Sequence, residues 1–313
     1  LFPNFRGRLS DQHQSKRRFP SNDSPMCFIA TACAANIALD YLFMGVLHLG
    51  PAGAALGTTL SQAISVVVSL TVILKRRSIV LKKSDFKPCR AVMGKILGIG
   101  IPIAFQDGLI QVAFIIITII ANQRGLNDAA AVGIVEKVIS FLFLVPSSML
   151  STVSALGAQN IGAGKPERAI QTLRYAVMLA AGFGVLASIA IQFTAEGIVS
   201  LFTDPSTADG AAVVRFGGQY LRGYIFDCIF AGIHFSFSGF FCACRKSGLS
   251  FLHNILAIVL MRVPGVYVTS KLFPATLLPM GLATAAGSLL SVVICLIAFG
   301  VIRRKSTLVL VEE

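Results

Sequence analysis

The sequence predicts an all-α, polytopic membrane protein, a helical bundle of about eight transmembrane spans, and three observations predict it. The 313 residues are 55% hydrophobic and only 13% charged, whereas soluble domains carry roughly a quarter charged residues. Mean hydropathy is +0.78, and the apolar residues come in blocks that reach the about 20 residues needed to cross the hydrocarbon core. The basic residues, finally, alternate from one connection to the next, as membrane topology demands.

The blocks fall at roughly 26–47, 51–74, 96–121, 129–153, 170–193, 213–241, 249–270 and 279–302, with ends uncertain by about 2–4 residues. Before the first block, residues 1–25 contain Pro3, Pro20 and Pro25, scattered charges and no apolar period, so an irregular arm is expected there, with no signal peptide in it. Residues 26–75 make a two-helix segment. The strongly basic stretch 76–95 reads as a cytoplasmic linker, 96–302 as a six-helix segment, and 303–313 as a cytoplasmic tail.

A net charge of +13 would suggest a nucleic-acid partner if the basic residues formed one face. They do not. Lys75, Arg76 and Arg77 crowd the second connection, Lys165 and Arg168 the fourth, Arg245 and Lys246 the sixth, and Arg303, Arg304 and Lys305 follow the last block. The intervening connections hold at most an isolated Arg124, Arg215 or Lys271. The charge therefore reports topology, with both termini and every basic connection on the cytoplasmic side. The cysteines lie mostly within or at the ends of spans, with no zinc-like spacing, and read as small core residues; no metal site is expected.

The first and seventh blocks share an Asn-Ile pair, at Asn36 and Asn254. The second and eighth open on similar segments, Pro51 to Ala55 and Pro279 to Ala283, and later carry Ser-Val-Val runs at Ser65 and Ser291. Such a repeat makes the first two helices the last pair of one six-helix lobe and the other six a complete second lobe, the duplicated plan of many transporters. Pro102, Pro146 and Pro264 lie within spans, where each removes a backbone donor and favours a kink.

Ionisable groups at membrane depth cost several kcal/mol, so they tend to face a bundle interior and mark an ion or substrate path. Asp107, Glu136 and Asp227 occupy the third, fourth and sixth blocks at depths that allow them to meet. Helical spacing gives each a polar stripe: Asp107, Gln111, Thr118 and Asn122; Glu136, Ser140, Ser147 and Ser151; Asp227, His234 and Ser238. The expectation is one hydrated pocket in which carboxylates exchange a proton, a sodium ion and a cationic substrate. The hydroxyls alone fit helix-to-helix hydrogen bonding equally well. Asp40 with Asn36 reads as a local pair, Arg262 as a fixed structural counter-charge, and His234 and His253 as lacking companions that would make them ligands.

The segment Ala158-Gln159-Asn160-Ile161-Gly162-Ala163-Gly164-Lys165 closely resembles the Q-N-x-G-A-G-K loop of the multidrug and toxic compound extrusion (MATE) family. Gly162 and Gly164 would permit its tight turn. Gly100-Ile101-Pro102 resembles the opening of that family's seventh helix, Asn36 to Asp40 its fifth, Pro51 to Ala55 its sixth, Phe226-Asp227 its tenth, and Met261-Arg262-Val263-Pro264 its eleventh. The resemblance implies two six-helix lobes that export cationic, aromatic compounds in exchange for Na⁺ or H⁺. On it, Asp227 matches a tenth-helix aspartate that binds the coupling ion in some members, whereas their seventh-helix glutamate falls near Ile110 here. It also implies that the family's first four helices are absent from this sequence. The expected protein is a monomeric, multi-pass transporter of a bacterial plasma (inner) membrane, not an enzyme, with small cationic drugs and the bilayer as partners and no cofactor beyond the coupling ion. A lipid-linked saccharide flippase of the related superfamily, or a non-functional truncated fragment, are the alternative readings. A flippase would need several Arg or Lys side chains to hold pyrophosphate, and the polar stripes here are acidic.

Overall fold

The computed structural model describes residues 23–75 and 90–309. Within them the chain is all-α, and eight segments are long and apolar enough to span a bilayer. Helices answer the constraint that a backbone in lipid must satisfy its own hydrogen bonds. The chain forms two compact units, Leu1–Pro88 and Cys89–Glu313.

In the first unit, α1 (Asp23–Asp40) runs into a π-helical turn, Tyr41–Val46, and α2 (Gly50–Lys75) packs back against it. The turn between them places His48 at φ 49° and Gly50 at φ 56°. Asp23 to Pro25, expected in an irregular arm, are helical; the rest of that arm lies outside the described residues.

The second unit contains α3 (Arg90–Asn122), α4 (Leu126–Leu142), α5 (Leu144–Gly162), α6 (Pro166–Ser200), α7 (Ala208–Tyr224), α8 (Phe226–Ala243), α9 (Ser247–Ala257), α10 (Val263–Leu272) and α11 (Leu278–Val309). Arg90 to Lys95, expected as linker, form the first turns of α3, and residues 76–89 lie outside the described set. Arg303 to Val309, expected as tail, continue α11.

Three of the six spans here are interrupted at mid-length. In α4–α5 the break is at Phe143, three residues before Pro146, whose missing N–H leaves the Leu142 carbonyl without its helical donor. In α9–α10 a π-helical turn, Ile258–Arg262, precedes Pro264. In α7–α8 the break is at Ile225, and no proline causes it. Instead two side chains one turn apart on α6 reach the carbonyls near the break: Gln192 Nε2 donates to Arg222 O at 3.1 Å and Ser188 Oγ to Ile225 O at 3.4 Å. Pro102 interrupts nothing, since α3 continues through it.

The α7–α8 span is the axis of the unit. In its apolar window 72% of residues are buried, against 22–39% in the other spans of this unit. Around it a core of Ile117, Val132, Val135, Ile139, Tyr220 and Tyr224 gathers α3, α4 and α7, and a second core joins α5, α6, α8 and α11 through Val153, Leu173, Phe241 and Cys295. α7 and α11 approach closely, so that a Cβ on Gly223 would meet Leu278 O at 2.5 Å and one on Gly281 would run into Tyr220 O. Only glycine lets these backbones cross so near.

The connections are built from local chemistry. Arg124, in the α3–α4 turn, pairs with Asp128 at 2.6 Å and donates to the carbonyls of Ser270, Phe273, Pro274 and Thr276, holding the end of α10 and the α10–α11 loop. At the end of α5, Gly164 has φ 71°, Lys165 N donates to Asn160 O at 2.9 Å and Gly164 N to Ile161 O at 3.0 Å, a Schellman cap. The end of α8 repeats that cap with Arg245 at φ 58°, Lys246 N donating to Phe241 O at 2.7 Å and Arg245 N to Cys242 O at 3.0 Å. Gly162, expected to be needed for the turn, sits in the last turn of α5 with open space around it and no left-handed φ, so the turn rests on Gly164 alone. Asn160 is one of the two residues whose carbonyls accept the capping bonds, with Ile161, and Gln159 O accepts the last regular helical bond from Ala163 N at 3.0 Å.

The internal similarity read from the sequence has a structural counterpart. Asn36 and Asn254 each precede a π-helical turn by one helical turn, and each leaves its amide Nδ2 buried without a partner. A charged residue bordering each π-helical turn lies against a glycine of the next helix: Asp40 against Gly57, and Arg262 against Gly287.

Candidate functional site

The three interruptions meet. Phe143, at the break of α4–α5, stacks edge-on against Tyr224 at the break of α7–α8, ring centroids 6.3 Å apart. Arg262, closing the π-helical turn, donates from Nη2 to Tyr224 Oη at 2.8 Å and to Asp227 Oδ2 at 3.1 Å. Its guanidinium carbon also lies 5.4 Å from the Phe114 ring and 5.8 Å from the Tyr224 ring. Such contacts favour a delocalised cation over a compact ammonium.

Asp227 is wholly buried. Its Oδ1 has no partner at hydrogen-bonding distance, the Ser288 hydroxyl of α11 being its polar neighbour. Glu136 is half-buried on α4, accepts from Thr118 Oγ1 at 3.4 Å, and lies within Coulombic reach of Arg262. Tyr220, fully buried and one turn from Tyr224, lies within Coulombic reach of both acids. Two carboxylates, one guanidinium and two phenols therefore share one mid-depth cluster.

Asp107 is not part of it. It is exposed on α3, and among the described residues no hydrogen bond or ion pair joins it to Glu136 or Asp227. The expected meeting of three acids is thus corrected to two. The residue of α3 that turns inward at that height is Gln106, which accepts from Ser250 Oγ at 2.6 Å. Gln111 and Ser140 are exposed as well, and Ser140 Oγ donates to its own helix at Glu136 O, 2.7 Å. Of the prolines, Pro146 is buried at its break, Pro102 is half-buried and Pro264 exposed.

His234 is buried two turns along α8 from Asp227, on the same face, with Nδ1 unpartnered. It stands 5.6 Å from His253, centroid to centroid. His253, set aside in the sequence, is held at both ring nitrogens, Nε2 with Ser238 Oγ at 2.8 Å and Nδ1 with Ser291 Oγ at 2.5 Å. Sequence reasoning missed Tyr220, Tyr224, Gln106 and Ser288. Only the i,i+4 spacing of the two tyrosines was visible there.

A family model described as MatE matches residues 102–268, just over half of the chain. Among curated proteins, a "Probable multidrug resistance protein YpnP" of Bacillus subtilis is 27% identical over 271 residues, covering 87% of this chain and 59% of that protein. An "FAD transporter" of Shewanella oneidensis is 27% identical, covering 80% and 56%. "Multidrug export protein MepA" of Staphylococcus haemolyticus is 26% identical, covering 80% and 54%. This chain thus spans less than three fifths of the length of these relatives. Of solved structures, a MATE transporter of Vibrio cholerae superposes with TM-score 0.80 at 16% identity over 90% of this chain and 63% of its own. A MOP superfamily transporter from Pyrococcus furiosus does so with TM-score 0.79 at 20% identity, covering 89% and 62%. At these identities the superpositions speak for the fold.

Proposed function

We propose, from the premise that this chain belongs to the MatE family, that the protein is a cation-coupled antiporter exporting organic, mainly cationic and aromatic, compounds across a bacterial plasma membrane. The observation that carries this reading is the buried group of Asp227, Arg262 and Tyr224 with Glu136 in Coulombic reach, at the level where three spans break. A carboxylate kept from water needs a proton, a metal cation or a protein cation beside it. Asp227 has Arg262. An inner-sphere Na⁺ on Asp227 Oδ2 would stand beside a guanidinium nitrogen, so the geometry favours the proton as the coupling ion. Asp227 is the carboxylate linked to that proton, and Glu136, half-buried and held by a single long hydrogen bond, is the acid best placed to meet a cationic substrate. The names of the curated relatives, two of them multidrug proteins, support export of xenobiotics. The alternation of basic connections supports cytoplasmic placement of the α5–α6 and α8–α9 turns.

The test is export of a fluorescent cationic dye by the full-length protein in proteoliposomes, driven in turn by a proton and a sodium gradient. Export driven by protons and reduced at least tenfold by Asp227→Asn and by Glu136→Gln is expected. Unaltered ion-driven export in Asp227→Asn would refute the role assigned to it.

A further inference from the structure

Below the Asp227–Arg262 pair the interior of the second unit holds a file of buried polar side chains that the exporter reading does not use. It descends toward the turn that carries Arg245 and Lys246. Ser288 flanks Asp227, Ser291 lies one helical turn further along α11 and bonds His253 Nδ1, and Ser238 bonds His253 Nε2 from α8. One turn on, Ser250 donates to Gln106. At the end of the file Ser247, at the start of α9, donates to Gly98 O at 3.2 Å. Ser247, Ser250, His253, Ser291 and Ser238 are all at most 2% exposed.

A dry core of this kind should close its own hydrogen bonds, and this one does not. Gln106 Nε2, Asn254 Nδ2 and His234 Nδ1 are buried along the file with no protein partner. Each such atom costs on the order of 1–3 kcal/mol unless water meets it. Internal water is expected where several polar groups converge.

We propose that this file is a proton route from the α8–α9 face to Asp227, separate from the path of the substrate, with His253 as its relay. The proposal rests on, and deepens, the reading of Asp227 as the proton-linked carboxylate. The chemistry turns on the two serine hydroxyls. A neutral imidazole donates from one ring nitrogen and accepts at the other, and a hydroxyl meets either role. A proton passed from Ser238 Oγ forms an N–H bond at the accepting nitrogen of His253. The N–H at the opposite nitrogen breaks and its proton goes to Ser291 Oγ. Ser238 is re-protonated from water on the Ser250 side, Ser291 releases its extra proton through Ser288 to Asp227 Oδ1, and the ring is left neutral in its other tautomer. One proton enters as one is delivered, and no co-reactant is required.

The charged and titratable neighbours suit that direction. Asp227 faces Arg262 from the π-helical turn, Tyr220 and Tyr224 from α7, and Cys228 from its own helix. His253 faces His234 from α8, itself within reach of Arg262, and hydroxyls from α8 and α11. The acceptor at the top of the file is a carboxylate. The side chains of the file itself are neutral serines, Gln106 and histidines, so the carboxylate of Asp227 is the one anionic acceptor a proton travelling along it meets. When Asp227 takes a proton, Arg262 keeps its bond to Tyr224 and loses the charge that held it to α8. A proton delivered from one face thereby loosens the contact between two interrupted spans.

The experiment is a rapid acidification of the full-length protein in lipid, followed by infrared spectroscopy of the carboxylic C=O band that Asp227→Asn abolishes. His253→Gln, which hydrogen-bonds but cannot relay, is expected to slow the rise of that band at least tenfold and to leave its final amplitude unchanged. A rise within twofold of the wild-type rate would overturn the route. So would a loss of rate accompanied by parallel losses of amplitude and thermal stability, the pattern of a merely structural core. Ser291→Ala, which cuts the file at a smaller side chain, carries the same test should His253→Gln not fold. Dye export is measured on the same preparations. A wild-type protein that exports no dye but protonates Asp227 through His253 ends the exporter reading and leaves the route standing.

Discussion

Arg262 Nη2 lies 3.1 Å from Asp227 Oδ2, with the aspartate side chain fully buried and the arginine side chain 10% exposed. The pair joins the first turn of α8 to the end of the π-helical turn, two places where the backbone has departed from a regular α-helix. Removing either partner leaves a charge in the core, which costs about 3–5 kcal/mol, whereas replacing both by apolar groups of like volume can be near neutral. Asp227→Leu and Arg262→Met are expected to lower thermal stability strongly as single variants, and the double variant to recover most of the loss. Denaturation in detergent of all four members of that cycle checks it, and additive losses would show that the pair is not coupled.

The α4–α5 break depends on Pro146. Pro146→Ala supplies the donor that the Leu142 carbonyl lacks and is expected to straighten a span of 37 residues. Spin labels near Asn127 and Gln159 should then move apart by about a few Å, on a rod that rises 1.5 Å per residue. An unchanged distance would mean that packing of Phe143 on Tyr224 alone holds the bend.

Gly164 and Arg245 adopt the same left-handed conformation in equivalent caps, at φ 71° and 58°. A side chain in that conformation costs about 1–2 kcal/mol. Gly164→Ala should therefore destabilise by roughly that amount, and Arg245→Gly should stabilise by about 1 kcal/mol. Opposite shifts in melting temperature are the readout, and shifts of the same sign would count against equivalent caps.

Arg124 holds four carbonyls and one carboxylate across the α3–α4 and α10–α11 connections. Hydrogen bonds to a charged group are worth about 1.5–3 kcal/mol each. Arg124→Ala is expected to cost at least about 3 kcal/mol, with Arg124→Lys recovering little because an ammonium lacks the planar fork. Amide exchange in the 273–281 segment should accelerate in both variants.

The bundle was legible because each span announces itself by apolar length. The helices extend past the hydropathy blocks, as α6 does from a block of 170–193 to Pro166–Ser200, because polar turns at a membrane face remain helical without adding to the apolar signal. The candidate site was legible only in part. The spacing of Glu136 and Thr118 on neighbouring stripes anticipated polar faces that now touch at 3.4 Å. The spacing of Asp107 failed, since a rotation of one residue along α3 decides whether Gln106 or Asp107 looks inward, and weakly amphipathic helices do not fix that rotation. That Arg262 has Asp227 as partner was beyond reach for a different reason. The π-helical turn adds a residue between His253 and Arg262, and an α-helical count misplaces everything after it.

That turn has a mechanical side. A stretch that bonds one residue farther than its neighbours behaves like a dislocation in a crystal: it travels along the rod as bonds exchange one at a time, and the ladder never opens. Here Val259, Leu260 and Met261 look outward from the bundle, while Ile258 and Arg262 at its two ends are buried. A one-residue shift of that winding would rotate Arg262 relative to Asp227 while leaving the helix continuous.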